Sequence, residues 1–218
     1  MKKIFLSSVG LLLLGSLVSF TPSVAQADEP INVSENTEKT ARTLIITANG
    51  NLEGSLVPYI QGVPNTGSIT IHYSSKSLGF IDGDTSKLTI KLPQEFKFIA
   101  NQPEFKTAIR GEAHVKKLFN EQDYAYNMDD ITVYNDRIIF SNPSEFWLIG
   151  GSFSSDIVID YGKILEKYPN MPIKDNFAGY KFQSALSHSS APWDPSEDPI
   201  FGTYSGVWTT YETQAIYK

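Results

Sequence analysis

The sequence predicts an all-β chain, mainly antiparallel, folded as a single β-sandwich with one or two short helices. Three observations lead there. Apolar and polar side chains alternate over many short stretches, the pattern of strands with one face buried and one wet. Asn, Asp, Gly and Pro separate these stretches at short intervals, as turns require. Helical signals are few: Tyr161 through Tyr168 has Ile164, Leu165 and Tyr168 at helix-like spacing before Pro169. Glu112 to Asn120 fits a short helix or a strand equally well.

The elements follow in order from Thr43. Leu44-Ile45-Ile46 is a short apolar run ended by Asn49-Gly50-Asn51. Ile69 and Ile71 alternate with Thr70 and His72, and Tyr73 follows. Leu88, Ile90 and Leu92 alternate with Thr89 and Lys91 until Pro93 stops them. Phe96 and Phe98 alternate with Lys97 and read as a further strand. Ile131-Thr132-Val133-Tyr134 and Arg137-Ile138-Ile139-Phe140 flank Asn135-Asp136. Two β-branched runs around two residues that tolerate positive φ predict a hairpin. Phe146-Trp147-Leu148-Ile149 and Ile157-Val158-Ile159 are strands separated by Gly150-Gly151. Ala178 to Leu186 alternates again, Ala191 to Pro199 is a Pro-rich acidic loop, and Phe201 to Tyr217 closes the chain with renewed alternation. Nothing marks an internal boundary, so residues 43–218 are expected to form one β-rich domain. The stretch Leu88 to Pro93 with Phe96 resembles strands of Ig-like bacterial adhesin domains, which makes an Ig-like sandwich one form of the expected fold. The Trp-x-Leu words of cell-wall-binding domains do not match Trp147-Leu148-Ile149 or Trp208-Thr209-Thr210.

The first 27 residues have the three parts of a secretory signal peptide. Lys2 and Lys3 give a positive start, Leu11 to Leu14 centre an apolar stretch, and Ala25-Gln26-Ala27 offers small residues for cleavage. Ser7, Ser8, Gly10, Gly15 and Ser16 interrupt the apolar stretch, which favours cleavage over anchoring. Residues 28–42 are polar and read as a flexible lead-in. No second apolar span and no sorting tail is read, so a secreted, extracellular protein without a stable membrane span is expected. The leader carries two lysines and no acid, so its removal moves the net charge from −6 to −8. A chain so acidic, with no basic cluster, is not expected to bind nucleic acid. Cysteine is absent, which excludes disulfides, a thiol nucleophile, a lipid-bearing cysteine and a zinc–thiolate site. A cysteine-free chain behind a Lys2-Lys3-Ile4 leader is similar to exported proteins of Gram-positive bacteria.

Motifs with chemistry are few. Ser187-His188-Ser189 sets a histidine beside two hydroxyls, but neighbours in a strand point to opposite faces, so adjacency makes no nucleophile–base pair. His72, His114 and His188 are far apart in sequence and lack helical zinc spacing, so they read as ordinary strand or surface histidines. Asp82-Gly83-Asp84 offers oxygen donors of the type calcium takes, with Asp82 and Asp84 as ligands, and Asp129-Asp130 and Asp194, Glu197, Asp198 are similar clusters. The alternative for each is a plain turn. No other cofactor is expected. The aromatic residues Trp193, Phe201, Tyr204, Trp208, Tyr211 and Tyr217 crowd the C-terminal stretch among Ser, Thr and Gly. Aromatic faces stack on sugars or on partner side chains. Trp193, Tyr204, Trp208 and Tyr211 are the ligand-binding candidates. Trp193 lies in a loop, while the alternation around Trp208 favours the core.

Export, β alternation and loop aromatics without a catalytic motif point to a secreted or cell-surface binding module, adhesin-like, for an extracellular protein or glycan. A secreted carboxylate-dependent hydrolase of polysaccharide or cell wall, and a β-rich toxin, are the alternatives. Carboxylates abound, but the sequence selects no pair among them.

Overall fold

The computed structural model describes residues 47–77, 86–117, 119–142, 151–187 and 206–217. They form a β-sandwich of two five-stranded antiparallel sheets and a small parallel pair. The first sheet has the order β1 (Thr47–Val57), β3 (Ser68–Ser77), β9 (Ser152–Ile159), β5 (Ile109–Lys116), β6 (Glu121–Ala125). The second runs β11 (Val207–Thr209), β10 (Lys181–Ser187), β4 (Lys87–Lys91), β8 (Arg137–Ser141), β7 (Ile131–Val133). The pair is β2 (Tyr59–Ile60) with β12 (Ile216–Tyr217). Two short helices, α1 (Lys97–Ala100) and α2 (Tyr161–Lys167), and three 3-10 turns are the remaining regular elements among the described residues.

Alternation in sequence becomes two faces here. Ile69, Ile71 and Tyr73 of β3 point inward, as do Phe153, Ile157 and Ile159 of β9. From the other sheet come Leu88, Ile90, Ile138, Phe140 and Phe182, in the same apolar cluster. Each such side chain taken out of water contributes about 1.5–3 kcal/mol, and with no cysteine in the chain this core is what holds the sandwich. Thr89, Ile139 and Ala185 sit in register on the opposite face of the second sheet and are buried too.

The Ile131–Phe140 hairpin forms as expected, with Val133 opposite Ile138 and the Tyr134 amide donating to the Arg137 carbonyl at 2.8 Å. Its turn is not the expected positive-φ type. Among the described residues only Asn65 and certain glycines have positive φ, so Asn135 and Asp136 do not. The Asp136 carbonyl instead accepts the Leu92 amide at 2.8 Å, which ties the turn to the end of β4. Other expectations are corrected. Phe96 and Phe98 are not in a strand: Pro93 opens a 3-10 turn that runs into α1, so Phe96 is buried and Phe98 half-exposed. Asn49-Gly50-Asn51 does not end a strand but sits at an irregularity within β1. Residues 210–215 are irregular between β11 and β12, because their hydrogen bonds go to tyrosine hydroxyls and loop groups. Glu112 to Lys116 resolves as strand. The runs at 44–46 and 146–149, and the loop at 191–199, lie outside the described residues.

One buried knot joins the ends of several elements. Phe96 meets Tyr161 and Tyr180 edge-on, each with centroids 5.4 Å away, and Phe182 at 6.2 Å. The Tyr161 hydroxyl lies 3.0 Å from the Val57 carbonyl and 2.8 Å from that of Ala215. The Tyr180 hydroxyl accepts the Ala215 amide at 3.0 Å and lies within reach of the Lys174 and Thr213 carbonyls. Ala215 is fully buried between them, and its carbonyl also accepts the Tyr59 amide. Nearby, α2 starts against the turn after β2. A Cβ on Gly162 would stand 2.2 Å from the Thr66 carbonyl oxygen, and Gly67 holds a φ of +80°. Only glycine permits that approach.

Burial pushes the Tyr161 hydroxyl pKa well above the usual tyrosine range and that of Tyr180 up to about 12. A raised folded pKa adds stability that is complete below the unfolded value, near 10, and is lost as pH climbs through the folded value. Urea melts between pH 8 and 12 should therefore show stability falling from about pH 10 upward. Tyr161→Phe should cost about 1–2 kcal/mol at neutral pH and make the alkaline decline shallower. An unchanged alkaline slope would contradict this reading.

Candidate functional site

The knot underlies a groove of about 1050 Å³ beside the β2–β12 pair. One wall is β2 and its turn. The Thr66 hydroxyl accepts the Ile60 amide at 3.1 Å and donates to the Val63 carbonyl at 2.8 Å, and Asn65 takes a φ of 60° to close the turn. The second wall is the segment after α2. Pro169 ends the helix, the Met171 amide bonds the Tyr168 carbonyl, and buried Ile173 pins the segment to the core. β12 closes the groove, held by Ala215 in the knot and by its parallel pairing with β2.

The lining mixes two kinds of surface. Tyr217, Ile60, Met171 and Pro172 are apolar or aromatic, while Gln61, Asn170, Asp175 and Gln214 present amide and carboxylate groups. Gln214 Nε2 donates to Asp175 at 3.2 Å, so these two are pre-oriented. The Tyr217 hydroxyl donates to Glu212 at 3.3 Å, and that carboxylate raises its pKa, keeping it a donor. A smaller cavity of about 250 Å³ adjoins at Pro172, lined also by Glu95, Lys97, Phe98 and Lys174.

The residues singled out from the sequence fare differently. Trp193, Tyr204, Asp82 and Asp84 lie outside the described residues, as does His188. Trp208 stacks on Phe182 with centroids 5.0 Å apart at 26°, and packs against the core. Its ring also lies over Gly54 of β1, where a Cβ would come within 2.8 Å. Trp208 thus bridges the edges of the two sheets and is half-buried. Tyr211 projects fully into solvent. Phe177, which the sequence reading passed over, is 91% exposed. Its segment is stitched to that of Tyr211 by Asn176 N to Thr213 O at 2.8 Å and Thr210 N to Tyr180 O at 3.1 Å. The sequence signal was a bare Phe beside Asn176 in a turn.

The structure also unites histidines that the sequence scatters. On the outer face of the first sheet, Glu53, His72, Asp156 and Glu112 lie in register across β1, β3, β9 and β5. His114, two residues after Glu112, lies opposite Asp123 of β6. His72 Nδ1 is 2.8 Å from Asp156 Oδ1, and His114 Nδ1 is 2.7 Å from Asp123 Oδ1. His72 and His114 are strand histidines with partly exposed side chains. Strand register, absent from a linear reading, brings them to the same carboxylate. The hydrogen bond that His114 donates to the Asp123 carboxylate raises the His114 pKa, with Glu112 and Asp156 adding to it against partial desolvation. Glu112, His114 and Asp156 are residues whose donor atoms suit a metal ion.

No protein-family model matches the chain, and no curated protein matches it in sequence. Among solved structures, a CBM3a-L domain with flanking linkers, from a cellulosome scaffoldin of Clostridium thermocellum, is similar at 10% identity and a TM-score of 0.32. That similarity covers 51% of this chain and 66% of that one. The partial N-terminal region of an enterococcal surface protein is similar at 9% identity and a TM-score of 0.37, over 69% of this chain and 40% of that chain. A collagen-binding domain from a Staphylococcus aureus adhesin is similar at 11% identity and a TM-score of 0.33, over 76% of this chain and 98% of that chain. Likenesses at this level transfer no ligand and no residue role. No helix among the described residues is long and apolar enough to cross a membrane.

Replacing the two C-terminal aromatics separates packing from display. Trp208→Ala should cost about 2–3 kcal/mol, less than a fully buried tryptophan because one side is open. Tyr211→Ala should change stability by no more than about 0.5 kcal/mol. Chemical denaturation of both variants checks this, and equal losses would show that the stacking on Phe182 is not a packing contact.

Proposed function

We propose that the chain is an exported binding module that takes an extracellular glycan in the groove beside β2 and β12. The observation that carries this reading is the lining itself. Gln61, Asn170, Asp175 and Gln214 supply donors and acceptors suited to sugar hydroxyls, and the Tyr217 ring and Pro172 supply apolar surface for the C–H faces of a sugar ring. The groove is as large as the bigger small-molecule sites of about 300–1,000 Å³, and it is already formed by the buried knot below it. A preformed groove limits the ordering cost of binding.

Binding is favoured over hydrolysis because glycoside cleavage canonically needs two carboxyl groups flanking the bond. Among the described residues lining the groove, Asp175 is the one carboxylate, and Gln214 engages it. The exported location rests on the leader at residues 1–27 and on the absence of cysteine, which together fit a domain stabilised outside the cell by its core alone.

A glycan array followed by calorimetry on the best ligand tests the proposal. Tyr217→Ala and Gln214→Ala should each weaken binding at least tenfold, with melting temperatures near that of the parent. Tyr134→Ala, a change outside the groove, should leave affinity intact. Failure to bind any glycan, or full affinity in both groove variants, would overturn the reading.

A further inference from the structure

We propose that the outer face of the first sheet holds a divalent transition-metal ion of the zinc class, ligated by His114 Nε2, Asp156 and Glu112. The donor atoms of these three side chains lie within 4.8 Å of one another. His114 Nε2 stands 3.5 Å from Asp156 Oδ2 and 3.7 Å from Glu112 Oε1. Those separations are too long for charge-assisted hydrogen bonds, which close to about 2.7–2.9 Å. They are close to the edge of a tetrahedron around zinc, roughly 3.3–3.5 Å for bonds of about 2.0–2.2 Å. A small inward movement of two surface carboxylates completes the fit.

The surrounding hydrogen bonds point the same way. His114 Nδ1 is engaged by Asp123 at 2.7 Å. With the proton on Nδ1, the lone pair sits on Nε2 and faces the two carboxylates. A carboxylate behind the ligating imidazole is the usual outer partner of a metal-bound histidine. His72 plays the matching part for Asp156, holding Oδ1 at 2.8 Å so that Oδ2 turns toward His114.

Charge supplies an independent reason. Glu112, Asp123 and Asp156 surround one imidazole. The basic side chains on the same strand pair elsewhere, Arg110 with Asp160 and Lys116 with Glu121. A cation at the His114 Nε2 position neutralises this excess. The imidazole selects among cations, because calcium prefers six to eight oxygens whereas imidazole with carboxylate suits zinc and its neighbours. All three ligands stand on β5 and β9, interior strands of the first sheet, so the site is rigid. The ligands are partly exposed, so water takes the remaining coordination position.

The test is calorimetric titration of ZnCl₂ into the purified, tag-free protein. One ion should bind per chain, and an excess of Ca²⁺ or Mg²⁺ should not displace it. His114→Ala and Asp156→Asn should each weaken binding at least tenfold, and Asp123→Asn by about 10–100-fold through the lost outer hydrogen bond. Circular dichroism verifies that the variants fold. Histidine ¹⁵N spectra of the unaltered protein give a second readout, in which saturating zinc should shift the Nε2 resonance of His114. Absence of binding, retention of full affinity in both ligand variants, or an unmoved Nε2 resonance would each overturn the proposal. The groove shares no residue with these ligands, so glycan binding succeeds or fails separately.

Discussion

Ala215 is the point on which this architecture turns. A residue with no side chain beyond Cβ, two positions past Thr213 near the end of the chain, has its amide held by the Tyr180 hydroxyl and its carbonyl by Tyr161 and Tyr59. Buried backbone groups must find partners, since an orphan costs about 1–3 kcal/mol. The irregular 210–215 segment has no strand ladder to satisfy it, and the tyrosines take that role. Phe96 packs between the same two rings. The end of β1, the start of α2, the segment after it and the C-terminal strand therefore share one set of contacts. Any ligand in the groove rests on this arrangement.

The first sheet shows a different kind of constraint. Its inner face is set by burial, which demands Ile, Phe and Tyr at alternate positions. Its outer face is free to vary, yet it concentrates His72, His114 and several carboxylates across adjacent strands. Register is fixed from the inside by packing, and the outer residues are carried into alignment by that register. A slip of one residue in β5 would bury Glu112 and His114 and expose Ala113 and Val115. The geometry of the outer cluster is thus protected by the core beneath it, without contributing much to stability through its own exposed pairs.

Trp208 illustrates how residue type alone misleads about role. Tryptophan near the C-terminus among Ser and Thr suits ligand display and core filling alike. The deciding facts are Gly54 on β1 and Phe182 on β10, which leave a flat space that an indole fills. Tyr211, three residues on, has no such space and stands in water. The groove drew on Tyr217, from the same aromatic stretch, and on Gln61, Asn170 and Asp175, which carry no sequence signal because amides and turns occur everywhere on a surface. Phe96 and Phe98 mislead in another way. Period-two alternation over three residues is too short to distinguish a strand from a turn entering a helix.

The sequence by itself determined the β class, the hairpin between Ile131 and Phe140, the α2 helix before Pro169, and the acidic and cysteine-free character. These are local properties: alternation, turn residues, helix stops and composition act within a few positions. The groove, the tyrosine knot and the histidine–carboxylate ladder were decided only in the tertiary structure. His72 and Asp156 are 84 positions apart, and Tyr161 and Ala215 are 54. Contacts at that range depend on strand order and register, which arise from how two whole sheets bury their inner faces together. No short stretch of the chain contains that information.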